Sequence, residues 1–295
     1  ETINFSFVEE RWERELAGNS DPIRLLNPIA SQMSVMRSSL IGSLVAVLKF
    51  NLDRRAERVR LFEVGRVFHK NASVPDSDTS VAGFHQPMRV AGVSFGSVDT
   101  LQWGTSEREA DFFDAKGDVQ ALLAPRQPEF RAAEHPAMHP GRCAAVWLDG
   151  RCIGHVGELH PRWRQAYGLS AAPVLFELDL AAVLARPVPA FQGVSRHQPV
   201  ERDLAIVVHE SVTHDAVISA IHAVGSPWLR DAALFDVYRP KPGAAAGSLL
   251  PDEKSLAVRI VLNRDDATLT EDDIEATVQA ALASLQQRTA ARLRA

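Results

Sequence analysis

Three groups of residues in this 295-residue chain carry side chains able to do chemistry. His135, His139, Cys143, Cys152, His155 and His160 are of the types that bind zinc. However, Pro136 and Pro140 break the helix that would align His135 with His139, and no paired Cys-x-x-Cys occurs. No metal site is expected there. Asp114, Lys116 and Asp118 match no metal-loop spacing and read as a solvated helix face. The third group lies late in the chain. Asp203, Asp236, Tyr238, Ser255 and Arg259 offer carboxylate acceptors, a ring, a hydroxyl and a cation. That set suits an unpaired nucleic-acid base: a carboxylate can accept from the N1 and N2 hydrogens of guanine, and a phenol ring can stack. No phosphate loop, nucleophile elbow or dinucleotide fingerprint is present, and no catalytic residue is assigned.

The third group needs a sheet to position it. Leu204, Ile206 and Val208 alternate as a strand, as do Leu256, Val258, Ile260 and Leu262. Val217, Ile218, Ile221 and Val224 make a helix, and Leu234 to Tyr238 a strand. Thr270-Glu271-Asp272-Asp273 opens a second helix with a hydroxyl cap and acids in its first turn. A short strand near Ala291–Arg294 follows. Strand-helix-strand-strand-helix-strand is the ferredoxin-like order. The apolar even positions should face the helices, leaving Asp203, Ala205, Ser255, Ala257 and Arg259 on the open face. Phe235 and Val237 should face the core, and Asp236 and Tyr238 outward. Pro240–Pro251 reads as a loop.

Upstream the chain is mixed. Ile3, Phe5 and Phe7 alternate as a strand. Met36, Leu40, Leu44, Val47 and Leu48 predict a helix from about Met33. Val59 to Phe68 and Arg89 to Phe95 predict strands, with a helix over Phe112–Leu123. Val146-Trp147-Leu148, Asp149-Gly150, Cys152-Ile153 is a hairpin with a two-residue turn. It keeps Cys143 roughly 13 Å from Cys152, too far for a disulfide. Arg186-Pro187-Val188-Pro189 is the linker candidate, giving domains 1–190 and 191–295. The class is α/β (α+β).

Composition excludes several classes. With 46% apolar and 23% charged residues the chain can build cores and is not disordered. No apolar run approaches a membrane span. The net charge of −5 gives no global basic signature. From Phe191 onward 14 acids outnumber 11 lysines and arginines, and a phosphate binder should carry the opposite sign. Arg202, Arg259, Arg288, Arg292 and Arg294 could still form a local basic track. A regulatory protein that senses a small metabolite through its ferredoxin-like domain is the alternative reading.

The motifs then add up. Asn27-Pro28-Ile29, Met36-Arg37-Ser38-Ser39-Leu40, Arg60-Leu61-Phe62-Glu63-Val64-Gly65-Arg66, Asp111-Phe112-Phe113-Asp114-Ala115-Lys116-Gly117, His139-Pro140-Gly141-Arg142 and Gly157-Glu158-Leu159-His160-Pro161 resemble the beta chain of bacterial phenylalanyl-tRNA synthetases. Arg202-Asp203-Leu204-Ala205, Leu234-Phe235-Asp236-Val237-Tyr238 and Lys254-Ser255-Leu256-Ala257 resemble that chain's anticodon-binding module. The resemblance runs through the whole chain in family order. It implies a class II synthetase-like antiparallel sheet domain followed by a ferredoxin-like domain, as the C-terminal part of a longer beta chain. It further implies a cytoplasmic α2β2 ligase that uses ATP and Mg2+, with the alpha subunit and tRNA(Phe) as partners and no cofactor held by this part. Neither a membrane nor DNA is expected as a partner. The active class II pattern places an arginine directly after an aromatic residue and two before the acid, which Arg60-Leu61-Phe62-Glu63 does not. Nor does a Gly-x-Gly-x-Gly followed by arginine occur in residues 150–190. The first domain is therefore expected to be non-catalytic and to dock alpha. Arg37 and Glu63 fit a structural ion pair and an alpha-contact site equally. Arg202, Asp203, Asp236, Tyr238, Ser255 and Arg259 are the expected RNA-binding residues, and the family's first anticodon base is G.

Overall fold

The computed structural model describes all residues except Pro187, Pro189, Gln192, residues 240–248 and Ala295. Most of the Pro240–Pro251 loop thus lies outside the described residues. The chain divides into two compact units, Glu1–Val188 and Pro189–Ala295.

The first unit is built on a six-stranded sheet, antiparallel throughout. Its strands are β1 (Val59–Arg66), β2 (Met88–Phe95), β3 (Glu129–Ala132), β4 (Met138–Leu148), β5 (Arg151–Leu159) and β6 (Val174–Asp179), in the order β1-β2-β6-β5-β4-β3. One apolar cluster joins the sheet to α1 (Ile41–Leu52) through Leu40, Leu44 and Leu48. The other joins it to α2 (Phe112–Leu123) through Ala115, Val119 and Leu123. Asp149 and Gly150 both take positive φ, 50° and 77°, as a two-residue turn of type I′ requires. Both cysteines are free.

Two expectations fail at the start of the chain. The helix begins at Ile41, because Val35–Met36 instead pairs as a strand with Phe7–Val8. Ile3 and Phe5 are exposed and outside any strand. What holds the start of the helix is not written beside it. Leu40 N donates to Glu177 at 2.6 Å, Ser39 Oγ donates to the same carboxylate at 3.0 Å, and Ser38 N donates to Glu13 at 2.9 Å. A buried carboxylate, Glu13, and a part-buried one, Glu177, thus come from distant elements to accept from the segment that leads into the helix, where the helix dipole favours negative charge. Burial pushes the Glu177 carboxyl above the usual carboxylate range despite those bonds.

The second unit has strands β7 (Val200–His209), β8 (Leu229–Tyr238), β9 (Glu253–Leu262) and β10 (Arg292–Leu293), with helices α3 (His214–His222) and α4 (Glu271–Thr289). The sheet order is β8-β9-β7-β10, all antiparallel. Thr270 caps α4 in a reciprocal box with Asp273. Leu204, Ile206, Val208, Leu256, Val258 and Ile260 are buried with Val217, Ile221, Ile274 and Leu285 of the two helices. On the opposite face Asp203, Ala205 and Arg259 are exposed, whereas Val207 and Ser255 are buried, at 1% and 4% exposure.

Candidate nucleic-acid interface

Strand register decides what stands on that face. Asp203 lies opposite Arg259, Ala205 opposite Ala257 and Val207 opposite Ser255. Successive residues alternate sides, so these pairs point away from the helices that bury Leu204, Ile206, Val258 and Ile260. From the other side β8 sets Ala233 beside Arg259, Asp236 beside Ala257 and Tyr238 beside Ser255. Asp203, Asp236, Tyr238, Ser255 and Arg259 therefore share one face. Arg202 does not. It lies opposite Ile260 on the helix side, and its Nη2 donates to Glu271 at 2.9 Å. The expected basic track from Arg202 to Arg259 is thus split between two faces.

Phe235 is a correction. Simple alternation predicts it in the core, yet it is 55% exposed. The register shifts by one between Leu234, opposite Val258, and Asp236, opposite Ala257. This is a β-bulge that leaves Phe235 as the extra residue. Leu234 packs on the core in its place. The Arg259 guanidinium lies 5.3 Å from the Phe235 ring centroid, which puts the ring on the open side.

The polar groups differ in how far they are engaged. Asp236 is exposed and makes no hydrogen bond or ion pair among the described residues; its carboxylate is an available acceptor. Arg259 donates from Nε and Nη2 to both oxygens of Asp203, at 2.8 and 2.9 Å, and its Nη1 lies 3.1 Å from Glu201. The guanidinium holds the Asp203 carboxyl below its usual range, and the two acids raise Arg259. Ser255 is only 4% exposed. Arg294, just beyond β10, donates its backbone N–H to Ala205 O at 2.9 Å and sends its side chain back over the face. Its Nη1 lies 3.5 Å from Ser255 Oγ and its Cζ 5.2 Å from the Tyr238 ring centroid. A base that reached the Ser255 hydroxyl would have to move Arg294. Elsewhere in the unit Arg230, Arg239, Arg264 and Arg292 pair with Asp265, Glu210, Asp266 and Glu253. Half of the 14 acids that made the charge balance unfavourable are thus engaged with the unit's own arginines.

The earlier candidates in the first unit resolve into structural roles. Arg37 and Glu63 form an ion pair at 2.7 Å with both side chains buried. Arg37 Nε also donates to Arg66 O at 3.0 Å, and Asn4 Nδ2 donates to Glu63 at 2.7 Å. A Cβ on Gly65 would stand 2.3 Å from Arg37 Nη2, so any side chain there would push the guanidinium out of its present place. Asp114 closes the cap of α2 and binds Arg108, Asp118 binds Arg60, and Lys116 lies over Phe130. These three side chains do not converge. His135, His139 and His160 each precede a proline, and each accepts through Nδ1 from the N–H two residues on, at 3.2, 3.0 and 3.1 Å. Their Nδ1 lone pairs are thereby used in turns. Among the described residues no three His, Cys, Asp or Glu side chains are placed to hold a metal ion, and no helix is long and apolar enough to cross a membrane.

Comparison with known proteins decides between the two sequence readings. Residues 1–180 match the family described as phenylalanyl tRNA synthetase beta chain CLM domain, and residues 195–294 match the ferredoxin-fold anticodon binding domain. The phenylalanine–tRNA ligase beta subunit of Ralstonia nicotianae is 52% identical over 300 residues, covering 100% of this chain and 37% of the relative. That of Chromobacterium violaceum is 52% identical over 282 residues, covering 96% and 34%. The chain belongs to the phenylalanine–tRNA ligase beta subunit family. It spans little more than a third of the length of these relatives. The open face described above falls within the matched anticodon-binding domain, and nothing supports the metabolite-sensing alternative.

Proposed function

We propose that the second unit holds the anticodon loop of tRNA(Phe) on its open sheet face, as part of a phenylalanine–tRNA ligase. The carrying observation is that Asp236, whose carboxylate has no partner among the described residues, and Tyr238, whose side chain is part-exposed beside Arg294, stand on one face of the matched domain. Asp236 accepts from N1 and N2 of a guanine, and Tyr238 stacks on an unpaired base. Arg259, held by Asp203 in the free protein, passes to the adjoining phosphate. Ser255 takes part once Arg294 has swung aside. Arg202 is left out of this patch because it faces the helices.

The first unit assembles and does not make bonds. Its best candidates for chemistry are tied into buried ion pairs, caps and turns. Its partner is the alpha subunit, in an α2β2 ligase of the cytoplasm that supplies the ATP and magnesium chemistry of aminoacylation. No residue here is assigned to hold either. Co-purification with alpha tests the assembly, and filter binding tests the recognition. At fixed salt, tRNA(Phe) should bind more tightly than the same RNA with its anticodon replaced. Equal affinities would reject the recognition.

A further inference from the structure

The bulge in β8 does more than set register. Without an extra residue, alternation would place Phe235 and Asp236 on opposite sides of the sheet. With it, Phe235, Asp236 and Tyr238 all stand on the open face. A β-bulge that re-aims a side chain beside a binding surface is a recurrent device. Phe235 is more than half exposed, and its ring lies against the Arg259 guanidinium on that face instead of in the core. Phe235 and Tyr238 are three positions apart, roughly 10 Å along a strand, so their rings would take two different bases.

We propose that Phe235 is a second stacking ring of the RNA-binding face, with Arg259 placed to meet the phosphate of the nucleotide stacked on it. The proposal rests on the anticodon-loop reading above and adds a second unpaired base to it. Stacking on an aromatic side chain is sequence-tolerant. Phe235 therefore contributes affinity, whereas Asp236 contributes the choice of base.

The test uses the whole protein as purified and tRNA(Phe) transcripts, intact or abasic at single loop positions. Phe235→Ala should weaken binding roughly 5- to 150-fold, the range expected for one lost base–aromatic stack, with an unchanged unfolding midpoint. Phe235→Tyr should restore it. The loss should disappear with an abasic nucleotide at one loop position, and that position should differ from the one coupled to Tyr238. Wild-type affinity in Phe235→Ala, with Tyr238→Ala impaired, overturns the second ring and leaves the anticodon reading standing. A loss that follows a lowered unfolding midpoint and is not rescued by Phe235→Tyr also overturns it. If neither variant nor anticodon replacement changes affinity, both proposals fall together.

Discussion

Arg259 grips Asp203 through two parallel hydrogen bonds of 2.8 and 2.9 Å across the central strand pair of the anticodon-binding domain. Such fork-to-carboxylate geometry is the same that guanidinium uses on phosphate. The pair therefore holds the cation ready while offsetting its charge in the free protein, and in the proposed RNA complex a phosphate would take the place of the carboxylate.

That exchange has a salt signature. Each phosphate neutralised on a single strand contributes about 0.7 to the slope of log affinity against log salt. Replacing Arg259 by Gln should lower the slope measured for tRNA(Phe) by about that amount. An unchanged slope would mean that Arg259 stays with Asp203 in the complex.

The buried Arg37–Glu63 pair predicts a stability effect separate from RNA binding. Removing one partner of a buried pair leaves an uncompensated charge and costs about 3–5 kcal/mol. Arg37→Met should lower the denaturation midpoint of the first unit by a corresponding amount, with RNA affinity of the folded protein preserved. Gly65→Ala should act in the same direction, since its methyl would displace the guanidinium. A Gly65→Ala protein as stable as wild type would show that Arg37 can move freely.

Acid should weaken the first unit through His135. Burial, helped by neighbouring His155, lowers this imidazole from the ordinary 6.5 to about 4. Because the folded value lies below the unfolded one, the unfolded chain takes up the proton first as pH falls. The stability contribution is complete above 6.5 and is lost on the way down to 4, by about 3 kcal/mol at most. Glu177, whose carboxyl is raised, works in the opposite sense, so the difference between variants is the informative quantity. The stability of His135→Gln should depend less on pH between 6.5 and 4 than that of wild type. Identical pH profiles would assign the acid sensitivity elsewhere.

Features fixed by neighbouring residues were legible in the sequence. The Asp149-Gly150 turn, the Thr270 cap and the alternation of Leu204 to Val208 are local, and each stands as read. Features fixed by distant partners were not. Met36 has the spacing of a helix but pairs with Phe7, and the start of α1 is held by Glu13 and Glu177 from elsewhere in the chain. At the candidate site, the open-face residues of β7 and β9 followed from parity alone. Phe235 did not, because an inserted residue shows only against the partner strand. Arg294 was visible as a nearby cation, but nothing in its sequence context says that it reaches Tyr238 and Ser255.

The central claim is that Asp236 reads a guanine on the sheet face opposite the two helices. The most direct measurement is a double substitution cycle on tRNA(Phe) binding, combining Asp236→Asn with replacement of the first anticodon guanine by adenine. If Asp236 accepts from that guanine, each single change weakens binding and the two together cost no more than either alone. Two independent, additive losses, or an Asp236→Asn protein that still prefers guanine as wild type does, would contradict it.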